Sequence, residues 1–242
     1  MDDELLEGQL AYYRARAGEY DEWFLRKGRH DRGPEWNCKW FSELDRVRKE
    51  LDGFAPVGDL LELACGTGLW AVELARHANA ITAVDASPEV LEINRARLHE
   101  AHPEVPIHYV QADLFDWHPE ASYDTVYFGF WLSHVPPERF EAFWMLVRSA
   151  LKPGGRVFFV DSLRTETWAE KERLGRDPRD HTTLRQLNDG QEFRIVKIFY
   201  DPEELSSRLR DLGWNVHVRT TDNHLLYGFG EPRTESWRIR RE

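Results

Sequence analysis

Short apolar runs alternate with amphipathic segments through the middle of the 242-residue chain. Continuous apolar runs of this length are typical of parallel strands covered on both faces. The predicted strands are DLLELAC, AITAVDAS, PIHYVQADL, the first part of YDTVYFGFWLSHV, and RVFFVDSL, which follows a KPGG turn. The predicted helices between them are LWAVELARHA, ended by Asn79, then PEVLEINRARLHEAH and PERFEAFWMLVRSAL. This alternation predicts an α/β fold with a mostly parallel sheet and helices on both faces.

The two ends of the chain have different patterns. Residues 3–27 and about 36–51 carry apolar side chains among charges, which predicts a helical N-terminal segment. Near the C-terminus FRIVKIFY predicts a strand, DPEELSSRLRDLG a helix, and WNVHVRTT and HLLYGFG two strands that pair antiparallel. Residues 164–192 are polar with no clear period, and such a segment in a compact domain is typically functional or mobile.

A glycine-containing turn follows the first predicted strand, in LLELACGTGLW. Gly66-Thr67-Gly68 fits neither G-x-x-x-x-G-K-[ST], which cradles phosphates, nor the three-glycine dinucleotide fingerprint. Asp85 ends the next strand, where a ribose-binding carboxylate is expected in a doubly wound sheet. The turn therefore predicts either close approach of a ligand to the backbone or a purely structural bend.

Charge and composition argue against several classes of function. The formal net charge of −11 and the pI of about 5.4 oppose a large nucleic-acid interface, which needs a basic face. Two cysteines have no metal-binding or disulfide spacing, the acidic N-terminus is not a signal peptide, and no apolar run approaches the ~20 residues that span a bilayer. We expect a cytoplasmic monomer or homodimer with no metal, membrane or nucleic-acid partner.

LLELACGTG, VDAS, QADLFDW and LKPGGRVFFVD, in that order, resemble the class I S-adenosylmethionine-dependent methyltransferases over about residues 55–161. The likeness is to bacterial small-molecule enzymes of the ubiquinone and menaquinone type, and YYRARAGEYDEWF is similar to their helical cap. The resemblance implies a Rossmann-like, seven-stranded, mostly parallel sheet with the last strand antiparallel. It also implies S-adenosylmethionine as cofactor, S-adenosylhomocysteine as product, and no metal.

The resemblance divides the single domain into five parts. Residues 1–53 would form an N-terminal helical cap or lid, 54–161 the cofactor-binding core, and 162–200 an insert that lines the acceptor pocket. Residues 201–230 would supply the C-terminal helix and antiparallel strands, and 231–242 a tail.

The resemblance also assigns roles on the cofactor side. Glu62 would lie near the methionine ammonium, Asp85 would accept hydrogen bonds from the ribose hydroxyls, and Asp113 would accept from the adenine amino group. Asp85 as a helix cap and Asp113 as a loop-starting residue are the structural alternatives. The implied cofactor-binding residues are Tyr13, Arg16, Tyr20, Glu62, Ala64, Gly66, Gly68, Asp85, Ala86, Asp113, Leu114 and Phe130.

The acceptor side is less specific, because methyl transfer needs in-line positioning and water exclusion, and a base only if the acceptor must lose a proton. His134 is the candidate base or orienting residue, and a local hydrogen-bonding role is the alternative. Trp131 and Asp161 are candidates for the pocket, with core packing and loop capping as alternatives.

Tyr13, Arg16 and Tyr20 share one helix face next to Tyr12, which suits an anionic group: the cofactor carboxylate or an acidic acceptor. A solvated amphipathic helix is the alternative. Further candidates for selecting an acidic or polar acceptor are Arg164, Arg179, His181 and Arg185, although solvated charge explains them equally simply.

These patterns predict methyl transfer to an oxygen or nitrogen atom of a small-molecule metabolite. Two alternatives remain: an RNA methyltransferase of the same fold and a cofactor-binding protein without turnover. The RNA alternative has only the basic tail of Arg238, Arg240 and Arg241 in its favour and lacks an NPPY-type tetrapeptide.

Overall fold

The computed structural model describes residues 3–164 and 181–233. The N-terminal segment contains α1 (Asp3–Arg16), α2 (Tyr20–Phe24) and α3 (Pro34–Phe54). Residues 3–27 are mostly helical, but a 3-10 turn at Ala17–Glu19 separates α1 from α2, because Gly18 disfavours continued helix. Helix α3 begins at Pro34, whose fixed φ suits a first turn, and ends at Phe54, past the predicted end at about residue 51.

The central region alternates strands and helices as predicted, in the order β1 (Gly58–Leu63), α4 (Ala71–Ala75), β2 (Ala78–Asp85), α5 (Pro88–Ala101), β3 (Ile107–Gln111), β4 (Tyr123–Gly129), α6 (Phe140–Ser149) and β5 (Leu151–Ser162). The C-terminal elements are β6 (Thr182–Gln186), β7 (Glu192–Val196), α7 (Pro202–Asp211), β8 (Trp214–Thr220) and β9 (Leu225–Pro232).

Seven strands form one sheet in the order β3-β2-β1-β4-β5-β9-β8. Strands β1 to β5 are parallel, and β9 runs antiparallel to both of its neighbours, β5 and β8. This confirms the predicted Rossmann-like sheet with an antiparallel last strand. The strand order reverses between β1 and β4, which is where doubly wound sheets bind ligands.

Each face of the sheet buries its own hydrophobic cluster. On one face Leu60, Tyr127 and Phe158 pack with residues of α3, α4 and α5. On the other face Leu61, Phe128 and Phe159 pack with residues of α6 and α7. Successive strand residues point to opposite faces, so adjacent apolar positions such as Leu60 and Leu61 serve different cores.

Three local predictions were wrong. Helix α4 is limited to five residues, and Asn79 lies inside β2 rather than at a helix end. The KPGG segment belongs to β5, where a register shift against β4 between Tyr123 and Thr125 absorbs the bend at Gly154. Strand β7 ends at Val196 and does not continue through FRIVKIFY.

A separate β6–β7 hairpin lies outside the seven-stranded sheet. Strand β6 was not predicted, because residues 164–192 are polar with no clear period. The hairpin packs on α1 through a small apolar cluster of Tyr12, Leu187 and Ile195. Residues 9–20 and 182–197 therefore meet in space although they stand near opposite ends of the chain.

Some predicted features lie outside the described residues: Arg179 and the basic tail of Arg238, Arg240 and Arg241. Within residues 3–164 and 181–233, no helix combines the length and hydropathy needed to span a membrane. The five-part division of the domain stays a prediction.

Candidate active site

The loop after β1 turns sharply through left-handed backbone. Ala64, Gly66 and Gly68 have φ values of 51°, 51° and 84°. The Cys65 amide donates to Val84 O on β2 (3.1 Å), and the Gly68 amide donates to Cys65 O (3.2 Å). A left-handed conformation at Ala64, a residue with a side chain, costs free energy and is typical of functional loops.

The two glycines of this loop have different surroundings. A Cβ added at Gly66 would meet no atom within 4 Å, whereas one at Gly68 would stand 2.8 Å from Cγ of Asn94. Asn94 is fully buried and its Nδ2 donates to the carbonyl oxygens of Cys65 and Gly66. Gly66 thus keeps space open beside the loop, and Gly68 allows close packing of the loop on α5.

The space beside Gly66 is a mainly apolar cavity, which we call the glycine-loop cavity. Its lining comes from α1, α2 and the carboxyl ends of four parallel strands: Leu10, Tyr13, Tyr20, Ala64, Gly66, Asp85, Ala86, Ser87, Val90, Ala112, Asp113, Leu114, Gly129, Phe130 and Trp131.

Two carboxylates line the glycine-loop cavity at the ends of β2 and β3. Asp85 accepts hydrogen bonds from the amides of Gly66 and Ser87, both at 3.0 Å. Burial raises the pKa of Asp85, and these backbone donors oppose the rise. Asp113 accepts from the Phe115 amide (2.9 Å), so it shapes its turn while also facing the cavity. Helix α5 is capped by the Ser87 hydroxyl, which accepts from the Val90 amide.

A second, wider cavity of about 440 Å³ adjoins the first, and we call it the basic cavity. Tyr13, Tyr20 and Phe130 line both cavities, so they form the common wall. The other residues lining the basic cavity are Tyr12, Arg16, Trp23, Arg29, His30, Asp31, Arg32, His134, Ser162, Leu184, Arg185, Gln186, Glu192 and Lys197. Phe130 has a φ of 56°, so backbone strain occurs at this wall as well as at Ala64.

Comparisons with known proteins agree with this architecture. Residues 60–155 match the family model of a methyltransferase domain. A solved structure described as the "DhpI-SAM-HEP complex" is 40% identical with a TM-score of 0.77, and the match covers 96% of this chain and 100% of that one. The chain belongs to the S-adenosylmethionine-dependent methyltransferases.

Curated relatives of this methyltransferase include two enzymes named ubiquinone biosynthesis O-methyltransferase. The one from Xanthomonas euvesicatoria pv. vesicatoria (strain 85-10) is 32% identical, and the match covers 71% of this chain and 66% of that enzyme. The one from Proteus mirabilis (strain HI4320) is 28% identical, with 74% and 81% covered. The chain thus spans about two thirds or more of the length of these relatives.

The glycine-loop cavity of the methyltransferase fits S-adenosylmethionine by its own chemistry. It combines an apolar lining with two carboxylates that can accept from hydroxyl and amino groups, and Gly66 leaves room where a side chain would project. Within the described residues, no group of three or more His, Cys, Asp or Glu side chains is arranged to hold a metal ion.

Most residues predicted on the cofactor side meet in this cavity, but three do not. Arg16 lines the basic cavity instead. Gly68 faces Asn94, as described above. Glu62 is buried in β1 and lines neither cavity. Burial, and next the nearby Asp85, raise the pKa of Glu62 well above its usual value, and its Oε2 has no hydrogen-bond partner among residues 3–164 and 181–233.

The residues predicted for the acceptor are divided among several places. Tyr12 lines the basic cavity, whereas Trp131 lines the glycine-loop cavity. Arg164 is exposed, and neither it nor His181 lines either cavity. Asp161 is also outside both cavities: it accepts from the amides of Ser133 (2.8 Å) and Ser162 (2.7 Å), which is the capping alternative.

His134 lies in the wall of the basic cavity and is buried. Its Nδ1 is 2.7 Å from Val196 O, so the proton on Nδ1 is donated to this carbonyl. Burial, followed by the nearby Lys197, lowers the pKa of His134 well below its usual value. The imidazole is therefore neutral and is fixed to strand β7.

Lys197, which was not predicted from the sequence, is buried at the edge of the basic cavity. Its Nζ donates to Ser133 Oγ (2.9 Å) and Ser162 Oγ (3.3 Å) and lies 3.7 Å from Asp161 Oδ1. A single lysine inside the apolar run IVKIF was the available signal, because a buried charge needs partners.

The N-terminal segment covers both cavities and is held by several hydrogen bonds, including bonds from Asn188 to Glu19 and Glu22. Asp21 accepts from the Thr67 hydroxyl (2.6 Å) and pairs with Arg97, which also donates to Thr67 O. Gln9 donates to His134 O (3.2 Å) and accepts from the Val196 amide (3.0 Å). The Asp21 contacts fix the segment to the glycine loop, and the Gln9 contacts fix it to β7.

Proposed function

We propose that this enzyme transfers the methyl group of S-adenosylmethionine, bound in the glycine-loop cavity, to an oxygen atom of a small molecule bound in the basic cavity. The observation that carries the proposal is the common wall of Tyr13, Tyr20 and Phe130, which makes the two cavities contiguous. Two adjoining sites are what an in-line displacement between two bound molecules requires.

Bound S-adenosylmethionine supplies an electrophilic methyl group on a sulfonium. The chain's own contribution is positioning and exclusion of water. Asp85 would orient the ribose hydroxyls, and Asp113 with the Leu114 backbone would orient the adenine. Tyr13 and Tyr20 are neutral, since burial raises the pKa of Tyr13 well above its usual value and that of Tyr20 to about 12. Their rings and Phe130 would enclose the transferring methyl group.

Similar proteins support the choice of oxygen and of a small-molecule acceptor. The two curated relatives described above carry the name O-methyltransferase. The similar solved structure is described as a complex that holds SAM together with a second ligand, HEP, which agrees with a two-cavity arrangement. Structures named as N-methyltransferases are 13% to 20% identical to this chain and support the fold alone.

The test is release of S-adenosylhomocysteine from S-adenosylmethionine by the full-length protein. One pool of acceptors holds small phenols, carboxylic acids and amines, and a separate pool holds total RNA. We expect turnover in the small-molecule pool alone, with the methyl group on oxygen by mass spectrometry of the product. Turnover confined to RNA, or a product methylated on nitrogen, would contradict the proposal.

A further inference from the structure

The basic cavity has the opposite sign of charge to the protein as a whole. The chain has a formal net charge of −11, yet the cavity lining contains Arg16, Arg29, Arg32, Arg185 and Lys197 against two carboxylates. Arg29 pairs with Glu19 and Lys197 lies near Asp161, but cations outnumber carboxylates in the lining, and a partly enclosed space lined mainly by cations raises the local concentration of anions. The lining therefore points to a negatively charged ligand.

Two of these cations are held in fixed positions. The Arg16 guanidinium stacks on the rings of Tyr12 (5.5 Å) and Tyr20 (4.9 Å), and among residues 3–164 and 181–233 it has no carboxylate in ion-pair distance. Lys197 is anchored by the hydroxyls of Ser133 and Ser162. A charge that is already positioned loses little entropy when a ligand binds, so it contributes more of its attraction to affinity.

The lowered pKa values of two histidines in the basic cavity are consistent with a positive local potential. The pKa of His30 is lowered to about 4, first by burial and then by Arg16 and Arg29. Burial has the largest effect on the pKa of His134 as well, followed by Lys197, with smaller effects of Arg185 and Arg16. Both imidazoles are therefore neutral at neutral pH, and His134 is a weak proton acceptor.

We propose that the methyl acceptor is a small oxyanion, a carboxylate or a phosphorus oxyacid, bound through its charge by Arg16, Arg185 and Lys197. The inference deepens the proposed function and rests on it. A lone pair of the anionic oxygen forms the new O–C bond, the C–S bond breaks, and its electron pair stays on sulfur. When the acceptor is bound in its fully ionised form, no proton is released and no general base is needed.

This assignment gives His134 a positioning role. Its Nδ1–H holds Val196 and thereby the hairpin strand that carries Lys197 into the cavity wall. Methylation also removes a negative charge from the acceptor, so the ester product is attracted less to the cations than the substrate is. Charge neutralisation thus favours product release.

Binding is tested first, by calorimetric titration of the full-length protein saturated with S-adenosylhomocysteine. The probes are benzoate, inorganic phosphate and, as a neutral control, benzamide. We expect at least one anion to bind and benzamide not to bind. Arg185→Gln and Lys197→Met should each weaken anion binding about 10-fold or more, while the Kd of S-adenosylhomocysteine stays within about two-fold.

Arg95→Gln is the matched control, since Arg95 lies on α5 away from both cavities and pairs with Glu92. Benzamide binding as tightly as benzoate would overturn the inference. So would variants that weaken S-adenosylhomocysteine as much as the anion, because the cations would then serve the cofactor carboxylate. The benzoate and phosphate titrations distinguish a carboxylate site from a phosphorus oxyacid site.

Turnover measured with different acceptors distinguishes a failure of this inference from a failure of the proposed function. Carboxylic acids, phosphorus oxyacids and neutral phenols are supplied separately, and S-adenosylhomocysteine and released protons are both counted in weak buffer. At a pH above the last pKa of the acid supplied, methyl ester formation without proton release supports the inference. Product formed only from phenols, with one proton per methyl group, overturns it and leaves O-methylation intact. Product from no acceptor class would sink the proposed function and the acceptor role together.

Discussion

The two cavities meet at one edge of the sheet but are built in different ways. The glycine-loop cavity is formed where consecutive parallel strands end: Ala64 and Gly66 after β1, Asp85 at the end of β2, and Asp113 after β3. The basic cavity is formed where α1 meets the β6–β7 hairpin, more than 160 residues apart in the chain. The first depends on short motifs at fixed places in the topology, and the second depends on packing between distant segments.

Asp85→Asn tests the motif-built cavity and has the largest expected effect. Removing the charge weakens the hydrogen bonds that Asp85 would accept from the ribose, at about 1.5–3 kcal/mol each. We expect the Kd of S-adenosylmethionine to rise by about 100-fold in calorimetric titration. Asp116→Asn, on an exposed side chain three residues after Asp113, is the control and should leave the Kd unchanged. An unaltered Kd in Asp85→Asn would remove the assignment of the ribose site.

Gln9→Leu tests the cavity built by packing between distant segments. The substitution keeps a similar volume but removes both hydrogen bonds of Gln9, so the buried Val196 amide loses its acceptor. An unsatisfied buried donor costs about 1–3 kcal/mol, which should appear in the free energy of unfolding from urea denaturation. We also expect a higher acceptor KM with a nearly constant Kd for S-adenosylmethionine. Gln111→Leu, at an exposed position in β3, is the control, and equal stability of the two variants would contradict this role of Gln9.

Glu62→Gln has the smallest expected effect and depends on pH. Because burial raises the pKa of Glu62, the folded state keeps a proton that the unfolded state releases above its ordinary pKa of about 4.3. The wild-type free energy of unfolding therefore falls as pH rises, by up to about 1.4 kcal/mol per pH unit, until the folded-state pKa is passed. Below both pKa values the contribution disappears.

Glu62→Gln lacks this dependence, so the ligand-free variant should gain stability relative to wild type between pH 5 and 7. Urea denaturation at several pH values measures the difference, with Glu120→Gln at an exposed position as control. A constant difference across this range would mean that Glu62 is ionised in the folded protein.

Most residues predicted on the cofactor side line one cavity, for a physical reason. Asp85 and Asp113 each follow an apolar run, and parallel strands bring their carboxyl ends to one edge, so strand order alone brings these residues together. Glu62 and Gly68 belong to the same motif yet line no cavity. The environment of Glu62 is decided by the face of β1 on which it lies, and that of Gly68 by its contact with Asn94.

The residues on the acceptor side could not be predicted from strand order in the same way. Lys197 stands in an apolar run and is brought to the site by the pairing of β7 with β6 and by contact with α1. Strand β6 has no clear alternation, so its existence depends on its partner strand. Arg164 and His181 were candidates because they are charged or polar, but they do not line the basic cavity.

The bond between Gln9 and Val196 also constrains how the protein can be made. Helix α1 is synthesised before the strand that it packs against, and Val196 of that strand follows Gln9 by 187 positions. A 14-residue helix is marginal on its own in water, so α1 cannot dock stably until the ribosome has released most of the chain. The seven-stranded sheet also awaits β8 and β9, which are translated after β7. The cavities can thus be completed only after β7 and the later strands have been synthesised.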